Sequence, residues 1–438
     1  MTGTTTAAPA AAFAGVLDAV AAAPEFLQSI RTEGHERFAA LGLPDRQQEA
    51  WRFTRLAALE GASLLPPSRP APVVEIAPWV IPEAHLLVFV DGIFAPVLST
   101  REPAPEGVVV TTLAAAAASG ATVLETHLGR LAPVGEHPFA ALNAAVVDDG
   151  ALVRIADDAE VTRPIQILFV SGAEDNPTLG APRALIVAGA SSKATVVTNY
   201  LGAGGASLSC PVTEIYLDRG ANLEHVSVQE ESVIASHMAV LEVRLAGNSR
   251  YAAHAISLGG NLARTDIGVI LEGEGAEATL DGLYLTDGSQ QADTHITVRH
   301  AHPNCSSHQL FKGILAGSSR AVFNGRIVVD EGAQKTDARQ SNRNLLLSED
   351  AVVNSNPQLE IFADDVRCTH GSTIGRLDEE AIFYLRSRGI DRKAAKHLLT
   401  LAFAGEVLDR IPVESVRARL EERIRARLPE AATSRNPA

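Results

Sequence analysis

Residues Phe311 to Asp391 read FKGILAGSSRAVFNGRIVVDEGAQKTDARQSNRNLLLSEDAVVNSNPQLEIFADDVRCTHGSTIGRLDEEAIFYLRSRGID. Short alternating runs are separated by turn-forming clusters, then the pattern switches to a helical one at Arg376. A Cys368-Thr369-His370 triplet sits just before that switch. Upstream, the same device recurs from about Ala151. Strand-like runs fall at Ile165–Val170, Ala184–Ala188, Thr195–Tyr200, Glu214–Leu217, Glu224–Val228, Val240–Leu245 and Ala255–Leu258.

Between the runs comes one kind of turn: VAGASSKA from Val187, LDRGANLE from Leu217, LAGNSRYA from Leu245, LEGEGAEA from Leu271, LAGSSRAV from Leu315, LSEDAVVN from Leu347 and FADDVRCT from Phe362. The leading residues Val187, Leu217, Leu245 and Leu271 lie 30, 28 and 26 apart, whereas Leu347 and Phe362 lie 15 apart. A fixed strand–turn period without intervening helices is the mark of a solenoid, here a β-helix over 151–375. Each coil buries its inner face only against its neighbours, and Gly, Asp or Asn at the corners supplies the positive φ of a sharp turn. A β-sandwich is the competing reading, but its turns recur every 8–12 residues or so.

The flanks read as helical. Phe13, Val16, Leu17 and Val20 have helical spacing, and Pro24 opens a second helix carrying Phe26, Leu27, Ile30 and Phe38, closed at Gly42. In GLPDRQQEAWRFTRLAAL, Gly42 to Leu59, Trp51 and Phe53 are read as docking this unit onto the next domain. Residues 1–8 read as frayed, and the proline-rich residues 62–77 as a stiff connector, so the N-terminal region spans 1–75. A mixed α/β segment over 76–150 follows. It has two strands around Asp91-Gly92, short helices at Leu113–Ala118 and Val123–Leu131, and an ambiguous stretch from His137 to Ala145. Past the solenoid, 376–438 reads as a helical domain with caps at Asp378 and Asp391, a stripe of Val413, Val416, Leu420, Ile424 and Leu428, and a polar tail from Glu430.

The chain has 438 residues, 46% of them hydrophobic but only 5% aromatic, which suits repetitive aliphatic packing. A formal net charge of −15 argues against nucleic-acid or anionic-membrane partners, which require clustered Lys and Arg. Three dispersed cysteines form no disulfide framework, and neither a secretory signal nor an apolar run of about 18 residues is evident. The expectation is a cytoplasmic protein.

Eight of thirteen histidines fall between His225 and His370. His295, His300, His302, His308 and His370, with Cys305 and Cys368, invite a metal reading, because imidazole and thiolate are soft ligands. Their spacing matches no closed zinc site, and strand histidines facing solvent or carbonyls are the simpler account. Cys368 and His370, two apart on a strand, project to one face, where imidazole would favour the thiolate. They supply only two ligands. Neither a nucleophile elbow nor a phosphate-binding GxxxxGK[ST] loop is present. Asp364 and Asp365 offer a different class of function, a β-helix carbohydrate-active enzyme, although a corner turn accounts for them more simply.

HQLFKGIL, VFNGRIVV, GAQKTDARQSNRNLLLS and PQLEIFADDVRCTHGSTIGRLDEEAIFYLRSRGI closely resemble the SufB/SufD family of iron–sulfur cluster assembly proteins. GLPDRQQEAWRFTRL and VFVDGIFAPVLS fit the same family upstream. In the SufB branch a cysteine is expected where this chain has Asn342, and an EHEA-type segment where it has Cys368 to Gly371. Both departures resemble the SufD branch.

The resemblance implies a mainly β protein: a right-handed parallel β-helix core flanked by N-terminal and C-terminal α-helical domains. It implies a non-enzymatic scaffold subunit that pairs with a SufB-like paralogue through the β-helix and docks a SufC-like ABC ATPase through its C-terminal helices. A homodimer in isolation is compatible with it. The site it implies is His370, with Cys368 beside it, holding a nascent iron–sulfur cluster jointly with the partner; this chain alone would bind none stably. Leu385, Arg388, Leu398, Leu399 and Phe403 are the implied ATPase-docking residues.

Overall fold

The computed structural model describes residues 11–19, 24–60, 63–67, 74–100, 102 and 104–428. The frayed start, the middle of the proline-rich connector and the polar tail lie outside the described residues. The rest is mainly β, a solenoid of about 8 turns with helical N- and C-terminal regions. One sheet stacks ten strands, running in parallel order from His85–Val90 through Ile165–Ser171 and Lys193–Gly202 to Ser306–Leu315, Asp337–Leu346 and Arg367–Gly375, with Ile93–Phe94 antiparallel at its start. The other runs from Val108–Thr112 and Ala151–Ile155 through Arg183–Ala188 and Val212–Leu217 to Gln291–His300, Arg320–Val329 and Val352–Ile361. Strands of the mixed segment take part in both sheets: His85–Val90 and Val108–Thr112 lie near their starts.

Parallel pairing in strict register stacks like on like. Ile215, Val243, Val269, Val298, Ile327 and Leu359 form one inward column, each at the same rung of successive coils. Burying such a side chain contributes about 1.5–3 kcal/mol, and the β-branch of the Val and Ile members suits the pleated inner face. Leu217, Leu245 and Leu271 share a rung as well, but Val187 lies one residue off, since Ala188 pairs with Leu217. The half-length spacing of Leu347 and Phe362 has a simple cause. They follow Asp337–Leu346 and Val352–Ile361, which belong to opposite sheets, so they are corners at the two ends of one half-coil.

One row of corners carries positive φ in successive coils, at Asp158, Ser191, Gly220, Asn248, Gly275, Asn304 and Lys335. Each donates its backbone N–H to the corner of the next coil, as in Gly220 to Gly247 O at 3.0 Å and Asn304 to Gln334 O at 2.9 Å. Left-handed backbone is nearly free for Gly220 and Gly275 and mildly unfavourable at the other corners of the row, where the ladder offsets it. The corners are thus hydrogen-bonded rather than loose.

At the N-terminal side, the helix Gln28–Leu41 crosses Pro138–Val146, the stretch whose pattern was ambiguous. The helices meet at backbone distance, since a Cβ on Gly34 would lie 2.3 Å from Ala145 N. Trp51 is buried against Phe139 (ring centroids 5.5 Å apart) and takes the Arg264 guanidinium on its face at 3.6 Å. Arg264 also donates to Ala50 O at 2.7 Å and Thr54 Oγ1 at 2.9 Å, so this segment is riveted to the solenoid wall. Phe53 differs from expectation: it is 46% exposed, and its carbonyl docks, accepting from Gln291 Nε2 at 2.8 Å.

The helix expected over Val123–Leu131 stops at His127. There Gly129 takes positive φ, and the buried Glu214 carboxylate accepts from the N–H groups of Gly129, Leu131 and Ala132. Arg183 pairs with Glu214 at 2.6 Å and holds its carboxyl below the usual range despite burial. The carboxylate captures amides that would otherwise have continued the helix.

Past the last strand come the helices Glu379–Ser387, Arg392–Leu408 and Glu414–Arg427, the first two capped by Asp378 and Asp391. They double back along the side of the ten-stranded sheet. Val407, Leu408, Val416, Leu420 and Ile424 join Val226, Ile256, Leu283 and Ile314 in one apolar cluster. Lys312 pairs with Glu406, and Arg410 reaches the buried Asp281 at 2.8 Å. Because these helices cover the flank, they leave the end of the solenoid open.

Candidate functional site at the open end of the solenoid

The final coil consists of Val352–Ile361 and Arg367–Gly375, the last strands in the order of each sheet. Cys368 registers with Ala338, His370 with Gln340, and Ser372 with Asn342. Alternation sends Cys368, His370, Ser372 and Ile374 to one side of the strand. Cys368 packs on the end of the core, against the cluster of Ile327, Val329, Ala333 and Ala338, and is half-buried. His370, two residues further, is exposed.

Burial, the largest influence, pushes the Cys368 thiol up, and Asp337 adds to this while the Ala338 N–H opposes it. The expected thiolate-favouring effect of a neighbouring imidazole is therefore not what governs Cys368 in this chain. Desolvation of the charged form wins. Cys210 and Cys305 are buried in the core, and their thiols are likewise pushed up.

The lumen beneath the site is polar and cross-linked. Ser372 Oγ donates to Ser355 Oγ at 2.8 Å, and Ser355 Oγ donates to Asn342 Oδ1 at 2.8 Å. Asn344 Nδ2 also donates to Asn342 Oδ1 at 2.7 Å, and Asn342 Nδ2 to Tyr284 OH at 3.1 Å. Tyr284 OH closes the network on Asn344 Oδ1 at 2.5 Å. It joins the two sheets of the last coil across the lumen, with Asn342 wholly buried at its centre. Sequence reading gave Asn342 significance only as a missing cysteine and passed over Ser355 and Ser372. The period-2 row Gln340, Asn342, Asn344 was the available signal.

The other histidines do not gather here. His295 lies on the outer wall near the Trp51 dock, with burial lowering its pKa to about 4. His300 is buried, its Nε2 2.9 Å from Ser307 Oγ, with its pKa also lowered to about 4 by burial. His302 and His308 are exposed. Among the described residues, no three His, Cys, Asp or Glu side chains gather to hold a metal ion. Asp365 is a corner residue: its carbonyl accepts from Lys335 N at 2.7 Å and its carboxylate pairs with Lys335. Asp364 is exposed in the same turn.

On the helices, Leu398 is 48% exposed, while Leu385 and Leu399 are half-buried. Arg388 is exposed, with its guanidinium 5.3 Å from the Tyr384 ring centre. Phe403 faces the solenoid instead: Lys312 Nζ lies 4.3 Å from its ring and donates to its carbonyl at 2.9 Å. That contact holds the helix to the sheet and leaves Phe403 half-buried. Phe383 and Tyr384 are more exposed, at 71% and 59%. The four-residue run Ile382–Leu385 hid them, since only Ile382 turns fully inward. Among the described residues, no helix is long and apolar enough to cross a membrane.

The family described as SUF system FeS cluster assembly, SufBD core domain, matches residues 169–403, and the SufBD protein N-terminal region matches 80–167. The chain is 34% identical to an iron-sulfur cluster assembly SufBD family protein of Synechocystis sp., over 89% of this chain and 88% of that one. It is 30% identical to the iron-sulfur cluster assembly protein SufD of Escherichia coli, over 89% and 90%. Identity to SufD of Bacillus subtilis is 27%, over 73% and 74%. The chain belongs to the SufB/SufD family of iron–sulfur cluster assembly proteins and is SufD-like.

Proposed function

We propose that this chain is the non-ATPase, non-enzymatic scaffold subunit of a cytoplasmic SufBCD-type complex for building iron–sulfur clusters. The observation carrying this reading is the open last coil, where Cys368 and His370 lie on a strand with no further coil beyond it. An unprotected strand edge is a template for pairing with another chain. A SufB-like paralogue set against it completes the coordination that two residues cannot supply, and the nascent cluster is the cargo held between them. His370 is the exposed ligand. Cys368 ionises on binding, because a metal favours thiolate over thiol.

The exposed Phe383, Tyr384 and Leu398, with Leu385, Arg388 and Leu399 around them, form the surface for a SufC-like ABC ATPase. Movement of these helices has a route to the site. Glu406 binds Lys312 and, at 3.3 Å, Arg343, and Arg343 belongs to the strand paired with the one carrying His370. ATP-driven closure of two ATPases would thus shift the seam between scaffold subunits as a rigid-body change.

Co-expression with a SufB-like protein and a SufC-like ATPase tests this. A stable complex is expected, in which His370→Ala retains all subunits but loses at least about ten-fold in cluster formation, followed by visible absorbance. A ten-fold loss corresponds to about 1.4 kcal/mol, close to one charge-assisted hydrogen bond. Full cluster formation by the variant would remove the site, and failure to co-purify would remove the scaffold role.

A further inference from the structure

A concavity of about 290 Å³ lies where the solenoid meets the helical unit. Arg376, directly after the last strand, lines it from one side, and Lys393, Lys396 and His397 line it from the Arg392–Leu408 helix. Its acidic lining residue, Glu379, is already engaged by Arg392 at 2.7 Å. Lys393 and Lys396 have no ion pair among the described residues, and the contact of Arg376 with Glu349 is long, at 3.7 Å, and exposed. His397 Nε2 is shielded from solvent without a hydrogen-bond partner. In a chain of net charge −15, two unpaired ammonium groups and a weakly paired guanidinium lining one space are a local inversion of charge.

We infer that this concavity binds a small oxyanion of phosphate or sulfate size. Ammonium and guanidinium groups donate and cannot accept, so the complementary ligand offers acceptors on every side. An apolar floor that includes Leu347 reduces screening of those charges. The concavity has room for a compact anion. The helix amides contribute little, since the N–H groups of Lys393 and Ala394 are already taken by Asp391. Selectivity rests on the side chains. The bound anion bridges the strand end and the helix, and this inference stands whether or not the assembly role does.

Isothermal titration of the full chain with inorganic phosphate, in chloride buffer at fixed ionic strength, tests it. Wild type is expected to show saturable one-to-one binding. Lys393→Gln, Lys396→Gln and Arg376→Gln should each weaken it about ten-fold, the size of one charge-assisted hydrogen bond. Arg244→Gln, on a distant strand, should leave it unchanged. Thermal unfolding of Lys396→Gln should match wild type, because that side chain is exposed. Absence of saturable binding, equal affinity in the lysine variants, or ATP binding more tightly than phosphate would each overturn the assignment.

Discussion

Two coils of this solenoid share one ladder geometry and differ in almost everything else. In Gln291–His300 and Ser306–Leu315 most side chains are buried, whereas in Val352–Ile361 and Arg367–Gly375 almost none are. Register and hydrogen bonding carry through both pairs without a break. Ladder pairing alone therefore does not bury a coil; a neighbour on each side does. The last coil lacks one neighbour, and its lumen is filled with Asn and Ser where the middle coils have Phe, Ile and Val. Ser372 and Ser355 there are satisfied by one another and by Asn342, which an interior aliphatic row could not do.

The sharpest way to break this comparison is to delete one side chain from each region. Phe311 is 2% exposed and packs on Phe323 at 5.5 Å, so Phe311→Ala should cost about 3–5 kcal/mol. Ile374, 49% exposed, should cost under about 1 kcal/mol as Ile374→Ala. Denaturant midpoints measure both, and equal losses would show that the end coil is as tightly organised as the middle.

Acid should act on the middle coils next. His225 and His300 are buried neutral with pKa values near 4, against about 6.5 when unfolded. Between those values the unfolded chain binds more protons, so stability falls as pH drops through that window and is regained above it. Each such histidine contributes roughly 1.4 kcal/mol per pH unit there. His300→Gln should flatten the profile by about one histidine's share, and an unchanged slope would mean that His300 does not resist protonation.

A smaller effect is expected within the end coil. Asn342→Ala leaves Tyr284, Asn344 and Ser355 short of partners, costing about 1–3 kcal/mol. Amide hydrogen exchange should then accelerate in 367–375 before it does in 306–315. Uniform acceleration would mean that the network supports the whole barrel rather than its end.

Much of this was legible in the chain. The corner motifs announced a solenoid because positive φ demands Gly or Asn at a repeated offset, and Gly220, Asn248, Gly275 and Asn304 occupy that row. The caps at Asp378 and Asp391 were equally local. Other features were not. The stop after His127 depends on Glu214, far along the sequence, and the inward turn of Phe403 depends on Lys312. The candidate site divides in the same way: Cys368 and His370 stood out as residue types, but the network under them draws on Tyr284, Asn342, Ser355 and Ser372 from three coils.

The sequence by itself determined the period, the corners, the helix starts and the family, because each is written in short-range pattern or in local identity. Only the tertiary structure decided which end of the solenoid is open. The helices after Arg376 have an apolar stripe that fits either the end or the flank of a β-helix. They lie on the flank because the outer faces of Val226, Ile256, Leu283 and Ile314 offer them apolar surface and Asp281 and Lys312 fix them there. That choice leaves His370 exposed and sets Cys368 at the edge of the core.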